Sequence, residues 1–239
     1  MSGIDRRRVL REAVARADGT AVVGALATQN WDDALQLAGD GLLAALAQQA
    51  RGAAQQARRC AEALHERDWN GDRELAQQLE AALGLGPVPL LRRLPVDLDE
   101  LSSILEGDPA HGGGRIDLRT GEVWAEAAID YARETGEEDE QDEEDEEDPD
   151  RWLEVWNEGS RAGYGDMEDF IDTVADEGRA DRLSIAISGR GAFGRFKDVL
   201  ARWPDELERW YAFSDERKQG RARAWLAAAG YTPGASAGS

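Results

Sequence analysis

The first proline of the chain is Pro87. The 86 residues before it are rich in alanine, leucine and glutamine and poor in β-branched residues, a composition that favours helix and little else. Leu35, Leu42, Leu43 and Leu46 repeat at the spacing of one helical stripe, and Leu64, Leu75, Leu79 and Leu83 continue it in later helices. Gly39 and Gly41 interrupt the first stripe and mark either a break or a tight contact between helices. Asn30-Trp31-Asp32-Asp33 and Asp68-Trp69-Asn70-Gly71 are alike and lie 38 residues apart. That period suits a helix-hairpin repeat; it equally suits a plain bundle whose helices start at Asn or Asp caps, each followed by a tryptophan.

Gly84-Leu85-Gly86-Pro87-Val88-Pro89 ends the helical pattern and is the expected domain boundary. The expected order is an all-helical module over 1–86, a linker over 87–93 and a second module over 94–232. In the second module Pro95-Val96-Asp97-Leu98 reads as extended. Asp97 or Asp99 would cap a helix through Glu106, with Leu98, Leu101, Ile104 and Leu105 on its apolar face. Ile116 and Leu118 alternate with charges, a Gly121 turn follows, and Val123-Trp124 lie beyond it, which is a hairpin signal. Trp152–Trp156 is a third strand. Helix resumes from residue 166, where Met167, Phe170, Ile171 and Val174 keep helical spacing, and Gly178, Gly189–Gly191, Pro204 and Gly220 divide the remainder into about four helices. The fold class is therefore α+β, with a small antiparallel sheet and several helices following the helical module. Residues 233–239 read as a disordered tail.

Charge limits the choice of function. Of a net charge of −21, residues 1–93 contribute nothing, with 12 Arg against 12 acids, and Glu137–Asp150 alone holds 12 acids. A run of like charges repels itself and is expected to be a solvated loop, since it lacks the spaced ligands and glycine of a calcium loop. The surface field would repel nucleic acid, so no direct nucleic-acid partner is expected. Nothing approaches the roughly 18 apolar residues of a membrane span, and the arginine-led N-terminus lacks the apolar centre of a signal peptide. Cys60 stands alone, which favours a cytoplasmic setting, and with only two histidines no zinc site, other metal or cofactor is expected.

From Gly189 to Phe213 the chain gathers glycines, cations and aromatics. Gly189, Arg190, Gly191, Arg195 and Lys197 would hold an anion such as a phosphate if a helix starts near Gly191, because its free N–H groups and positive dipole end would face them. The same residues also suit a tight turn between helices, with Phe193, Phe196, Leu200 and Trp203 on a buried stripe and the arginines paired with acids. Two acidic clusters, Asp97/Asp99/Glu100 and Asp166/Glu168/Asp169, read as helix N-terminal acids rather than catalytic pairs. His111-Gly112-Gly113-Gly114 has no accompanying G-x-S-x-G, and His65 lies about 140° round a helix from Cys60, so neither makes a nucleophile site. Eight tryptophans are many for 239 residues. Those left exposed would be contact hot spots, with Trp210, Tyr211 and Trp225 the candidates for partner binding.

The words Ile116-Asp117-Leu118, Thr120-Gly121-Glu122-Val123, Met167 with Asp169-Phe170-Ile171, Gly189–Asp198, Trp210-Tyr211 with Phe213, and Ala224-Trp225-Leu226 occur in that order. In this the chain resembles, over about residues 94–226, an uncharacterised bacterial family that has no assigned activity. Gly194 stands where the resemblance leads one to expect an arginine or a similar residue. The helical N-terminal part is similar to an extension of actinobacterial members. The resemblance implies a cytosolic bacterial α+β protein and carries over no catalytic residue. The reading is a protein-interaction or regulatory protein without catalysis; its alternative is an enzyme or sensor that binds a phosphorylated small molecule at Gly189–Lys197.

Overall fold

A computed structural model describes residues 3–28, 31–107, 112–135 and 150–234. Five helices come first: α1 (Gly3–Ala15), α2 (Gly19–Ala27), α3 (Leu35–Ala47), α4 (Ala53–Arg67) and α5 (Asp72–Ala82). Their shared core is Val22, Leu26, Leu35, Leu42, Leu64, Leu75 and Leu79, with Ala38, Ala57, Cys60 and Ala61 between them. The small side chains let the helix axes approach closely. Gly39 and Gly41 are contacts rather than breaks: a Cβ on Gly39 would press into Leu75, and one on Gly41 into Val14 and Val22. Trp31 and Trp69 do precede helices, yet the N-caps are Ala34 and Gly71, not the Asn or Asp before each tryptophan.

The rest of the chain runs β1 (Arg92–Leu94), α6 (Leu98–Leu105), β2 (Gly114–Asp117), β3 (Val123–Ala125), α7 (Glu126–Thr135), β4 (Trp152–Val155), α8 (Arg161–Asp172), α9 (Glu177–Ile187), α10 (Ala192–Leu200), α11 (Pro204–Ala228) and β5 (Tyr231–Pro233). The expected hairpin and third strand form an antiparallel sheet in the order β3-β2-β4, with Ile116 opposite both Val123 and Leu153. Asp97 caps α6 by accepting from the N–H groups of Asp99 and Glu100, at 2.8 and 3.3 Å. The predicted apolar face of α6 is buried, and a Cβ on Gly114 would strike Ile104, so α6 covers the Ile116 side of the sheet.

Three expectations are corrected. The helix expected from residue 166 starts at Arg161, so Asp166, Glu168 and Asp169 lie inside α8 and not at its N-terminus. α7 follows β3 directly, where no helix is expected from the pattern. Pro233 is not tail: it lies opposite Leu94 in a parallel β1–β5 pair, and the Gly234 N–H donates to Leu94 O at 2.7 Å. Proline is tolerated there because the strand is an edge.

The chain forms two compact units: Met1–Leu90 with Tyr164–Ala224, and Leu91–Gly163 with Trp225–Ser239. The break after Leu90 falls beside the expected boundary, but α8–α10 and most of α11 join the N-terminal helices and not the sheet. Within the first unit Met167, Phe170, Ile171, Leu183, Ile187, Phe196, Leu200 and Trp210 make a second hydrophobic cluster. Between the two clusters Gly71, at φ +80°, meets Gly220 so closely that a Cβ would overlap the Gly220 carbonyl oxygen. No helix among the described residues is long and apolar enough to cross a membrane.

Two glycines with opposite surroundings test this packing. Gly71→Ala should destabilise the first unit by roughly 2 kcal/mol or more, through a strained φ and the overlap together. Gly194 lies inside α10 with open space around its Cβ position. Gly194→Ala should therefore stabilise by about 0.5–1 kcal/mol. Urea unfolding of both variants reads the two signs.

Candidate interaction surface and the predicted sites

Gly189–Lys197 is a turn held by one side chain. α9 ends at Ile187, and α10 starts behind Gly191, whose φ is +73°. Arg195 reaches back over the turn. Its Nε donates to Ala186 O at 3.0 Å, its Nη2 to Ser188 O at 2.7 Å and Gly189 O at 3.3 Å, and its Nη1 to Arg190 O. A guanidinium suits the place because the last carbonyls of a helix lack intrahelical donors and form its negative end. Ala192 and Phe196 turn into the core, while Arg190 and Lys197 are exposed. Of the five residues predicted to hold an anion, the most central cation thus points at backbone oxygens. A Cβ at Gly194 would meet nothing within 4 Å.

The predicted partner residues divide. Trp210 is 5% exposed. Its ring stands edge-on to Phe170 and Phe196, with centroids 5.4 and 4.8 Å away. It supplies core volume. Tyr211, one position on, is 51% exposed, and Trp225 is half-buried.

The most exposed tryptophans are Trp124, at 40%, and Trp156, at 74%. The sheet register explains Trp124. Side chains directly opposite each other across a sheet share a face. Arg115 is opposite both Trp124 and Glu154, and Asp117 is opposite Trp152. These five residues therefore line one face of β3-β2-β4, while Gly114, Ile116 and Val155 turn to the buried one. The guanidinium carbons of Arg115 and Arg151 lie 4.0 and 4.6 Å from the centroid of the Trp152 ring, close enough for cation–π attraction. Trp156 follows Glu154 by two residues just past the strand.

The hairpin that presents this face is tied by Asp117. Its Oδ1 accepts from the Arg119 and Thr120 N–H groups at 2.7 and 3.2 Å, and its Oδ2 from Arg151 Nε at 3.0 Å. Burial opposes the charge, but the Arg119 N–H, Arg151 and the Thr120 N–H outweigh it and hold the carboxyl below the ordinary aspartate value.

The other predicted chemistry resolves into structure. Asp166 is buried inside α8, bonded to Arg217 Nε at 2.9 Å and to Arg221 Nη2 at 2.8 Å, while Asp169 takes Arg217 Nη2 at 2.7 Å. The Cys60 thiol is buried 3.7 Å from Leu35 O, and burial pushes its pKa up, away from reactivity. His65 meets Glu80 at 3.0 Å. His111 and the acidic run up to residue 149 lie outside the described residues.

One polar cluster went unforeseen. Glu216 Oε2 accepts from the Gln36 N–H at 2.8 Å and from Arg67 Nη1 at 2.9 Å. Arg67 also grips Asp72 through Nε and Nη2, at 2.8 and 2.7 Å. Arg223, 0% exposed, donates from Nε to Gln36 Oε1 at 2.8 Å and from Nη2 to both Asp40 oxygens. Glu216, Gly220 and Arg223 are four and three residues apart, one face of α11. An acid and a base bracketing a glycine at that spacing was the available signal.

The Uncharacterised protein family (UPF0158) matches residues 115–236, half of the chain, and the chain belongs to that family. A UPF0158 protein of Pseudomonas aeruginosa is 28% identical over 136 residues, which cover 57% of this chain and 84% of the relative. No solved structure matches.

Acid titration tests the Asp117 clamp. Because its folded pKa lies below the ordinary value, it stabilises the fold above the pH at which an unfolded aspartate ionises, and that stability is lost as pH falls through the folded pKa. Asp117→Asn should be less stable than wild type at pH 6, with the gap closing below about pH 4. Thermal unfolding across that range measures it; a constant gap contradicts the assignment.

Proposed function

We propose that the chain is a cytosolic, non-catalytic protein-interaction protein, and that the outward face of β3-β2-β4 is where its partner binds. The carrying observation is the exposure of Trp124 and Trp156 beside the Arg115–Trp152 stack. Large exposed aromatics lose more free energy to water than a solitary surface leucine does, and Trp with Arg dominates protein-contact hot spots. The face sits on a sheet whose other side is packed by α6, so it is rigid before binding, which lowers the ordering cost. The reading of Gly189–Lys197 as a site for a phosphorylated small molecule ranks second. Its Arg195 donors are engaged with four carbonyls, leaving Arg190 and Lys197 as the cations for a ligand.

The test is chemical crosslinking in cells of the source organism, with the partner identified by mass spectrometry. Trp124→Ala/Trp156→Ala should keep its melting temperature within a few degrees and lose at least about tenfold of the crosslinked partner, as two hot-spot truncations imply. Arg190→Gln/Lys197→Gln should keep the partner. Undiminished crosslinking by the tryptophan variant contradicts the proposal. So does a phosphorylated metabolite that raises the melting temperature of wild type and not of Arg190→Gln/Lys197→Gln.

A further inference from the structure

The contact between α3–α5 and α11 differs in kind from the cores on either side of it. One hydrophobic cluster comes wholly from residues between Leu10 and Leu79, the other from residues between Met167 and Trp210. What joins the helices is mostly polar: Glu216 on Gln36 N and Arg67, Arg223 on Gln36 and Asp40, and the glycine contact of Gly71 with Gly220. Trp69 adds an aromatic element, edge-on to Phe213 at 5.1 Å and beneath the Arg67 and Arg217 guanidiniums. Interfaces between separately folding partners have this make-up, a few aromatic and arginine anchors with many hydrogen bonds; the interior of one core does not.

Two further observations agree. The family match contains α11 but none of α1–α5, and the 136 aligned residues make up most of the shorter Pseudomonas aeruginosa relative. The segment after α5 is irregular and carries Leu85, Val88 and Leu90 exposed to solvent.

We propose that the face of α11 bearing Phe213, Glu216, Arg217, Gly220 and Arg223 is a protein-docking face, occupied by the α1–α5 layer of the same chain as a separable partner. The recognition chemistry follows from the contacts. Glu216 takes a helix N-terminus whose own cap residue, Ala34, has no side-chain acceptor. Arg223 takes an amide and a carboxylate one turn apart on that same helix, Gln36 and Asp40. The glycine at position 220 admits the backbone at Asn70 and Gly71, so the occupant must bring a helix start and a tight turn together. This inference uses no part of the sheet face and stands or falls apart from it.

The experiment keeps the whole chain. A protease recognition sequence is placed between Val88 and Pro89, and the folded protein is cut there. Cut protein is then mixed with cut protein grown in heavy isotopes, and exchange of the N-terminal pieces is followed by native mass spectrometry. The pieces should stay together at micromolar concentration and swap within hours under native conditions. Asp40→Ala/Glu216→Ala should swap at least tenfold faster; if that variant does not fold, Asp40→Ala alone carries the same comparison. Pieces that precipitate or separate on cutting overturn the proposal. So do pieces that never swap short of unfolding, or a variant that swaps no faster than wild type.

Discussion

Glu216 puts a buried carboxylate at the start of a helix that has no cap of its own. Ala34 precedes α3 and has no oxygen to offer, while the first N–H groups of any helix lack intrahelical acceptors. The acceptor comes from 180 residues away: Glu216 takes the Gln36 N–H at 2.8 Å. Burial holds the Glu216 carboxyl above its ordinary value, and Arg67, the Gln36 N–H and Arg7 offset only part of that. Arg67 in turn is tied to Asp72, whose Oδ2 accepts the Trp69 N–H at 3.0 Å and so fixes the turn between α4 and α5. Removing Arg67 would leave two buried carboxylates, Glu216 and Asp72, without their cation, at a cost of roughly 3–5 kcal/mol. One side chain of α11 thereby sets where α3 begins and how the α4–α5 turn meets it.

Several polar side chains within the family-matched span do structural work of the same kind. Asp117 ties a hairpin turn to Arg151, Arg195 closes the end of α9, and Arg217 with Arg221 holds Asp166. These are polar groups placed where the backbone or a buried charge requires a partner. None of them leaves a strongly perturbed acid or base open to a substrate, and among the described residues no three metal-ligating side chains gather as a site. The outward face of the β3-β2-β4 sheet carries exposed Trp124 and the Arg115–Trp152 stack, with Glu154 beside them.

The local chemistry of the sequence was legible and its long-range pairing was not. The Leu35–Leu46 stripe, the Asp97 cap and the hairpin with its third strand depend on neighbours within a few residues, and the periodicity shows them. The division into units was not legible, because it rests on Glu216 and Arg223 finding Gln36, Arg67 and Asp40 across most of the chain. Trp210 and Trp124 show the same limit. Each sits in an apolar or alternating context, and only the packing of Phe170 and Phe196 against the first, and the sheet register of the second, separates core from surface. The contacts of Arg195 with backbone carbonyls were not legible either, because such partners carry no sequence signal.

Glu216 caps α3 through the Gln36 N–H, and amide hydrogen exchange reads that one bond. In wild type the Gln36 amide should exchange as slowly as amides inside α3, although the second residue of a helix ordinarily has no protection. In Glu216→Ala its exchange should rise at least about tenfold, well beyond any change at Leu42 in the middle of the helix. A Gln36 amide that exchanges freely in wild type, or one indifferent to the loss of Glu216, would contradict the account.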